Sequence, residues 1–70
     1  MKTHSDLSPR DLDVARLAAS GLTGRDIADR LLITMNTVKY HLKRVYKALG
    51  VHNRAQLVNA LQNHENYPNG

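Results

Sequence analysis

Hydrophobic residues recur at helical spacing in four stretches, and each stretch follows a residue that can cap a helix. The segment Ser8-Pro9-Arg10-Asp11 combines an N-cap serine, a proline at the first helical position and an acid three residues after the cap. The helix that it opens should run to about Ser20, because Gly21 suits the left-handed conformation that ends a helix. Thr23, three residues before Asp26, opens a short second helix in the same way.

The second half of the chain repeats this pattern twice. Thr34 caps a third helix that should end near Leu49, with Gly50 as its stop. Asn53 opens a fourth helix, which we expect to end at about residue 62. No segment has the alternation of a strand, so the sequence predicts an all-α domain of four helices over residues 7–62. We expect a flexible N-terminal segment over 1–6 and a flexible polar tail over 63–70.

The connection between the second and third helices is short. Only Leu32 and Ile33, with Thr34 as the next cap, separate them. A turn of this length forces a sharp angle between two helices, which is the geometry of a helix-turn-helix. Ala28 and Val38 lie ten positions apart across this turn, and a small residue facing a branched one suits the contact between crossing helices.

The third helix has two chemically different faces. At 3.6 residues per turn its apolar residues form one stripe that should face the core, namely Val38, Leu42, Val45 and Leu49. The opposite face carries Asn36, Tyr40, Lys43 and Lys47, with Lys39 and Arg44 on its flanks. These side chains can donate hydrogen bonds to phosphates and to base edges, and one helix fits the major groove of B-form DNA. The alternative is an ordinary solvated lysine face, but such faces usually mix charges of both signs.

Charge is distributed unevenly along the 70 residues. Residues 1–30 hold five basic and five acidic side chains, whereas residues 31–64 hold five basic ones and no acid. A basic, acid-free half is typical of a protein that binds a polyanion, although a solvated basic surface would give the same count. The chain has no cysteine and no apolar run near 18 residues, which excludes disulfides, thiolate zinc sites and membrane spans.

Polar residues at helix starts and four histidines are further candidates for chemistry. Thr23, Thr34 and Asn53 precede helix N-termini that can hold a phosphate, and their capping role is compatible with that contact. The histidines are His4, His41, His52 and His64. No two of them have the spacing of a zinc site, and we expect neither a metal nor a cofactor. His41 lies at the margin of the core stripe and should be packed or hydrogen-bonded. The sequence lacks any nucleophile–base arrangement, so an enzyme is not expected.

Several linked motifs resemble the LuxR/FixJ/GerE-type helix-turn-helix domain of bacterial transcription regulators. They are Leu7-Ser8-Pro9-Arg10, Gly21-Leu22-Thr23, Asp26-Ile27-Ala28, residues 36–42 (NTVKYHL) and residues 49–56 (LGVHNRAQ). The resemblance covers residues 7–62. It departs from the family pattern at Asp11 and Asp26, where members often carry Glu, and at Met35, which replaces the more common Pro, Glu or Ala.

The resemblance implies sequence-specific binding of double-stranded DNA and regulation of transcription. The third helix would enter the major groove, and the fourth would pair two copies on a two-fold operator. Base edges would be read by the residues that match the family's reading positions, Asn36, Lys39, Tyr40 and Lys43. Phosphates would be contacted by Thr23, Thr34, Thr37, Lys47 and Arg54. We add Arg44 and Asn53 as phosphate candidates from their own positions on the third and fourth helices.

The fourth helix leaves little surface for a second copy. Leu57, Val58 and Leu61 should face the core of their own domain, which leaves Gln56, Asn59, Ala60 and Asn63 for a homodimer. A patch this small and polar predicts a weak dimer that forms with the help of DNA.

We expect no small-molecule ligand within this chain and no membrane contact. RNA polymerase is a further candidate partner, and the expected location is the bacterial cytoplasm, on the nucleoid when bound.

Two other readings of the sequence stay open. Region 4 of a sigma factor shares the Ser-Pro-Arg opening and the Thr-Val-Lys stretch, although His41 and residues 50–56 favour the LuxR type. A protein-interaction module that pairs through the fourth helix would not need an acid-free third helix. The chain begins at Met1 and resembles either a free-standing effector like GerE or an excised output domain.

Overall fold

A computed structural model describes residues 7–65, with side chains for 7–62. This part of the chain forms four helices and no strand: α1 (Pro9–Ala19), α2 (Gly24–Leu31), α3 (Met35–Leu49) and α4 (Arg54–Glu65). The predicted all-α class and all four helices are confirmed. The main difference is at α4, which continues through residues 63–65, where we expected the tail to begin. The segment over 1–6 and residues 66–70 of the expected tail lie outside the described residues.

A side chain caps the N-terminus of every helix, as the sequence predicted. At α1 the Ser8 hydroxyl accepts a hydrogen bond from the Asp11 amide (3.1 Å), and the Asp11 carboxylate accepts one from the Ser8 amide (2.9 Å). Thr23 and Asp26 make the same reciprocal pair at α2. The caps of α3 and α4 are single bonds, from the Thr37 amide to the Thr34 hydroxyl and from the Gln56 amide to the Asn53 side chain. Each cap satisfies amides that the helix itself leaves without a partner.

Helix α2 ends on a residue that the sequence does not mark as a stop. Gly21 and Gly50 have the positive φ angles expected after α1 and α3, 104° and 68°. Leu32 has φ 59° after α2, although a left-handed conformation is costly for a residue with a side chain. The amide of Ile33 donates to the carbonyl of Ala28 (3.0 Å), which fixes this turn. The left-handed Leu32 thus makes the tight turn into α3.

The core lies where α1 meets the other three helices. Its buried apolar members are Leu7, Val14, Ala15, Ala18, Ile27, Ala28, Val38, Val45 and Leu57. Ala28 and Val38 both belong to it, in line with the predicted packing of α2 against α3.

The buried stripes of α3 and α4 are narrower than predicted. Leu42 and Leu49 are only half-buried, because Leu42 lies at the edge of the buried face of α3 and Leu49 at its end. On α4, Leu57 is fully buried and Leu61 packs against the core, but Val58 does not face it. Val58 and Leu61 instead line a groove between α1 and α4, with Ala19 on the other side. Val58 is thus half-buried in this groove between α1 and α4 and lies outside the core cluster.

Candidate nucleic-acid interface

The outward face of α3 is a continuous polar and basic strip. Because Val38 and Val45 are completely buried, the residues on the opposite side of the helix must point outward. Six of them are exposed: Asn36, Lys39, Tyr40, Lys43, Arg44 and Lys47. We call these six residues the α3 strip. None of its members is acidic, so this face has a positive potential that attracts polyanions.

A shallow groove runs along one side of the strip. Asn36, Lys39, Tyr40 and Lys43, the four predicted base-reading residues, all line it, together with Leu42 and Tyr46. Hydrogen-bond donors therefore lie beside apolar surface. This combination suits a base edge, which presents acceptors and, in thymine, a methyl group.

The remaining phosphate candidates lie at the starts of three helices. Thr34 and Thr37 flank the first turn of α3, where their hydroxyls are 2.9 Å apart. Thr23 and Asn53 are exposed caps at the starts of α2 and α4. These side chains are thus divided among separate helices, and each lies beside amides that can also bind an anion.

Arg54 makes contacts within the protein that the sequence did not suggest. It is half-buried, and its Nη1 donates to the carbonyl oxygens of Ala18 (3.0 Å) and Leu22 (2.5 Å). These bonds join the first turn of α4 to the end of α1 and the loop that follows. A phosphate contact by Arg54 stays a prediction.

A buried carboxylate joins α1 to the flank of the α3 strip. Asp11 is 0% exposed, and its Oδ1 lies 2.5 Å from His41 Nδ1. Its Oδ2 accepts from Arg44 Nε (2.9 Å) as well as from the Ser8 amide. Burial by itself would raise the pKa of Asp11, but the hydrogen bonds from His41, Ser8 and Arg44 outweigh it and lower this pKa to about 2. The same hydrogen bond raises the pKa of Arg44.

Two partners of this carboxylate also contact the ring of Tyr40, the aromatic residue of the strip. The guanidinium carbon of Arg44 lies 5.9 Å from the centre of the Tyr40 ring, within the range of a cation–π contact. The His41 ring meets Tyr40 edge-on, with centroids 5.3 Å apart and planes at 69°. His41 was expected to be packed or hydrogen-bonded, and the structure shows that it is hydrogen-bonded.

Asp11 is the site residue that sequence reasoning missed. Its sequence position predicts only the capping of α1, which it does perform. A signal was present, because Asp11 has helical spacing with Val14, Ala15 and Ala18 and therefore lies on the apolar face of α1. A carboxylate on such a face needs hydrogen-bonding or charged partners in the core. The helical spacing of α1 does not indicate which residues those partners are.

The predicted dimer patch on α4 is only partly available. The Gln56 side chain accepts a hydrogen bond from the His52 amide (2.7 Å), so it is engaged at the start of its own helix. Asn59 is exposed and Ala60 is half-buried. The Asn63 side chain lies outside the described residues.

Among residues 7–65 there is no group of three or more histidine, cysteine or acidic residues that could hold a metal ion. Over the same residues, no helix is long and apolar enough to cross a membrane.

Two helices joined by a tight turn, the second carrying an exposed basic strip, define a helix-turn-helix protein. Residues 5–61 match the GerE model of "Bacterial regulatory proteins, luxR family", and the chain belongs to this family. It is a family of transcription regulators, not of enzymes.

Relatives and a solved structure agree with this assignment. The chain is similar to the HTH-type transcriptional regulator AlkS of Alcanivorax borkumensis (41% identity over 80% of this chain and 6% of AlkS). It is also similar to the two-component response regulator PprB of Pseudomonas aeruginosa (51% identity over 79% of this chain and 20% of PprB). The crystal structure of the response regulator ChrA of a heme-sensing two-component system superposes with a TM-score of 0.79 and 36% identity, covering 84% of this chain and 29% of ChrA. The chain thus spans less than a third of each of these proteins.

Proposed function

We propose that this domain binds double-stranded DNA sequence-specifically and thereby regulates transcription, with α3 in the major groove. The observation that carries the proposal is the α3 strip, which is exposed, basic and free of acids along the helix that follows the tight turn. Asn36, Lys39, Tyr40 and Lys43 read base edges from the groove beside Leu42 and Tyr46. The proposed site of action is the bacterial cytoplasm, on the nucleoid.

The phosphate contacts come from the rim of this surface. Thr34, Thr37 and Lys47 hold phosphates along α3, and Thr23, Asn53 and Arg54 hold them at the starts of α2 and α4. Arg44 contributes from the flank, where its charge is partly balanced by Asp11. Such contacts fix the register of a protein on DNA without reading its sequence.

The proposal is tested in two steps. Duplexes that bind are first selected from a random pool, and fluorescence anisotropy then measures the affinity for the selected and for a scrambled duplex. We expect the selected duplex to bind on the order of 10³-fold more tightly and the affinity for both to fall steeply with salt. Arg30→Ala is a matched control, because Arg30 is exposed and basic but shares a hollow on α2 with Asp26 and Asp29. The proposal is wrong if no duplex is enriched, or if Lys43→Ala affects DNA binding no more than Arg30→Ala does.

We further propose that two copies pair through α4 on an inverted repeat. One recognition helix reads only a few base pairs, so useful specificity needs two half-sites. The surface available on α4 is small, since Gln56 is engaged by His52, and stable interfaces bury more than about 1,000 Å². The chain should therefore be a monomer in free solution and pair when the duplex holds two copies together.

Sedimentation at micromolar protein, with a two-half-site duplex and without DNA, measures the number of protein copies in each state directly. Two proteins per inverted repeat and a free monomer are expected. A tight dimer without DNA, or one protein per inverted repeat at saturation, would contradict it.

AlkS is described as a transcriptional regulator and PprB as a response regulator, and we propose that this domain has the corresponding output role, with RNA polymerase as a further partner.

A further inference from the structure

The exposed tyrosine of the α3 strip is linked to a buried carboxylate on another helix. Asp11 of α1 binds two side chains one turn apart on α3, His41 and Arg44. The same two side chains contact the Tyr40 ring, one edge-on and the other over its face. A continuous path of contacts therefore joins a residue with 0% exposure to one with 57% exposure.

This arrangement restrains a side chain that would otherwise be mobile. An exposed tyrosine exchanges rotamers within nanoseconds, and ordering it on binding costs conformational entropy. Its two neighbours cannot move away easily, because that would leave the charge of Asp11 unpaired in the core. The buried carboxylate thus keeps the Tyr40 ring oriented before DNA arrives.

We propose that Asp11 is a positioning residue of the DNA interface, which holds His41 and Arg44 so that Tyr40 meets a base edge in one orientation. The proposal rests on the DNA-binding function proposed above. Asp11 is buried and does not touch DNA itself. Loss of its carboxylate should therefore weaken discrimination between sequences while the general attraction of the basic strip for DNA remains.

The chain offers a closely matched pair of variants. Asp11→Asn and Asp26→Asn each replace the acid of a capping box with an amide of the same size, and each removes one negative charge. They differ in position, since Asp26 is exposed and caps α2 through Thr23. A difference between the two variants in how well they discriminate between DNA sequences can thus be attributed to the contacts of Asp11 with α3.

The quantity to measure is the ratio of affinities for the selected and the scrambled duplex, at a temperature where every variant is folded. Asp11→Asn should lower this ratio about 5- to 100-fold, the range for one lost base contact. Asp26→Asn should change it less than about twofold, and neither variant should bind the scrambled duplex more weakly. An unchanged ratio in folded Asp11→Asn protein would overturn the proposal.

A double-mutant cycle separates positioning from a general loosening of the fold. If Asp11 acts through Tyr40, adding Asp11→Asn to Tyr40→Ala should lower the ratio less than about twofold further. Fully additive effects would mean that Asp11 does not act through Tyr40, and the proposal would fail.

A measurement without DNA distinguishes this proposal from the proposed function. Proton NMR should show contacts between the Tyr40 ring and the Arg44 side chain in the unaltered and Asp26→Asn proteins, and their loss in Asp11→Asn. If the unaltered protein does not discriminate between duplexes, the proposed function fails, and persistence of these NMR contacts in Asp11→Asn would separately refute the positioning. If Asp11→Asn does not fold, His41→Gln takes its place in the affinity measurements, because it removes one of the two links to Tyr40 and leaves the bonds of Asp11 to Ser8 and Arg44 in place. The affinity ratio should again fall while the Tyr40–Arg44 contacts persist, and an unchanged ratio in folded His41→Gln protein would overturn the proposal.

Discussion

Arg54 offers a direct test of the tertiary structure against the family resemblance. Its guanidinium donates two hydrogen bonds to carbonyl oxygens, at 3.0 Å and 2.5 Å, from a half-buried position. Hydrogen bonds from a charged donor contribute about 1.5–3 kcal/mol each, and these two share one donor atom, so we expect Arg54→Ala to lose roughly 2–3 kcal/mol of folding stability. For a domain with a total stability of about 5 kcal/mol, this is a large fraction.

Thermal unfolding followed by circular dichroism measures this loss. In a domain of this size, 1 kcal/mol shifts the midpoint by about 4–8 °C, so Arg54→Ala should melt at least about 8 °C lower. Arg54→Lys should restore little, because an ammonium cannot reproduce the guanidinium geometry. Lys47→Ala is the control, since Lys47 is exposed on the α3 strip and its loss should leave the midpoint nearly unchanged.

The salt dependence of DNA binding completes the test. It is measured well below the thermal midpoints of both variants, Arg54→Ala and Lys47→Ala. Removal of one phosphate contact lowers the slope of log affinity against log salt by about 0.9. Lys47→Ala should show this change. An Arg54→Ala protein with an unchanged midpoint and a slope lowered by about 0.9 would refute the structural role and leave Arg54 as a phosphate contact alone.

Three other predictions follow from the α3 strip, the core and the buried carboxylate. Lys43→Ala should weaken binding to the selected duplex about 5- to 100-fold and to scrambled DNA much less, as anisotropy would show; equal losses would place base reading elsewhere. Val45→Ala should destabilise the fold by about 2 kcal/mol in urea unfolding, and Leu42→Ala by no more despite its larger truncation, because Leu42 is only half-buried. The lowered pKa of Asp11 contributes stability that is complete above its ordinary value of 3.8 and is lost as the pH falls to about 2. That contribution is about 2 kcal/mol, and urea unfolding from pH 6 to pH 2 should show a correspondingly smaller decline in Asp11→Asn than in Asp26→Asn.

The starts of the four helices and the ends of α1 and α3 could be predicted from the sequence because those signals are local. The Ser8–Asp11 and Thr23–Asp26 boxes form between residues three apart, so the bonds depend only on the helix that they start. Gly50 ends α3 because a residue without a side chain takes a positive φ at little cost. The outward strip of α3 follows in the same way, since the apolar residues of an amphipathic helix must turn toward the core.

What the sequence could not supply are the contacts between residues far apart in the chain. The partners of Asp11 on α3 lie 30 and 33 positions away, and the carbonyls that Arg54 binds lie 36 and 32 positions away. Local spacing predicted Asp11 as a cap, and the family resemblance implied a phosphate contact for Arg54. Each is also an internal hydrogen-bonding partner because of how α1 lies against α3 and α4. The half-burial of Leu42 has the same origin, since a helix pattern indicates which side faces inward but not how far the neighbouring helices cover it. Local hydrogen bonding and periodicity thus determined the helices and the surface that α3 presents, and helix packing alone decided which side chains hold that surface in place.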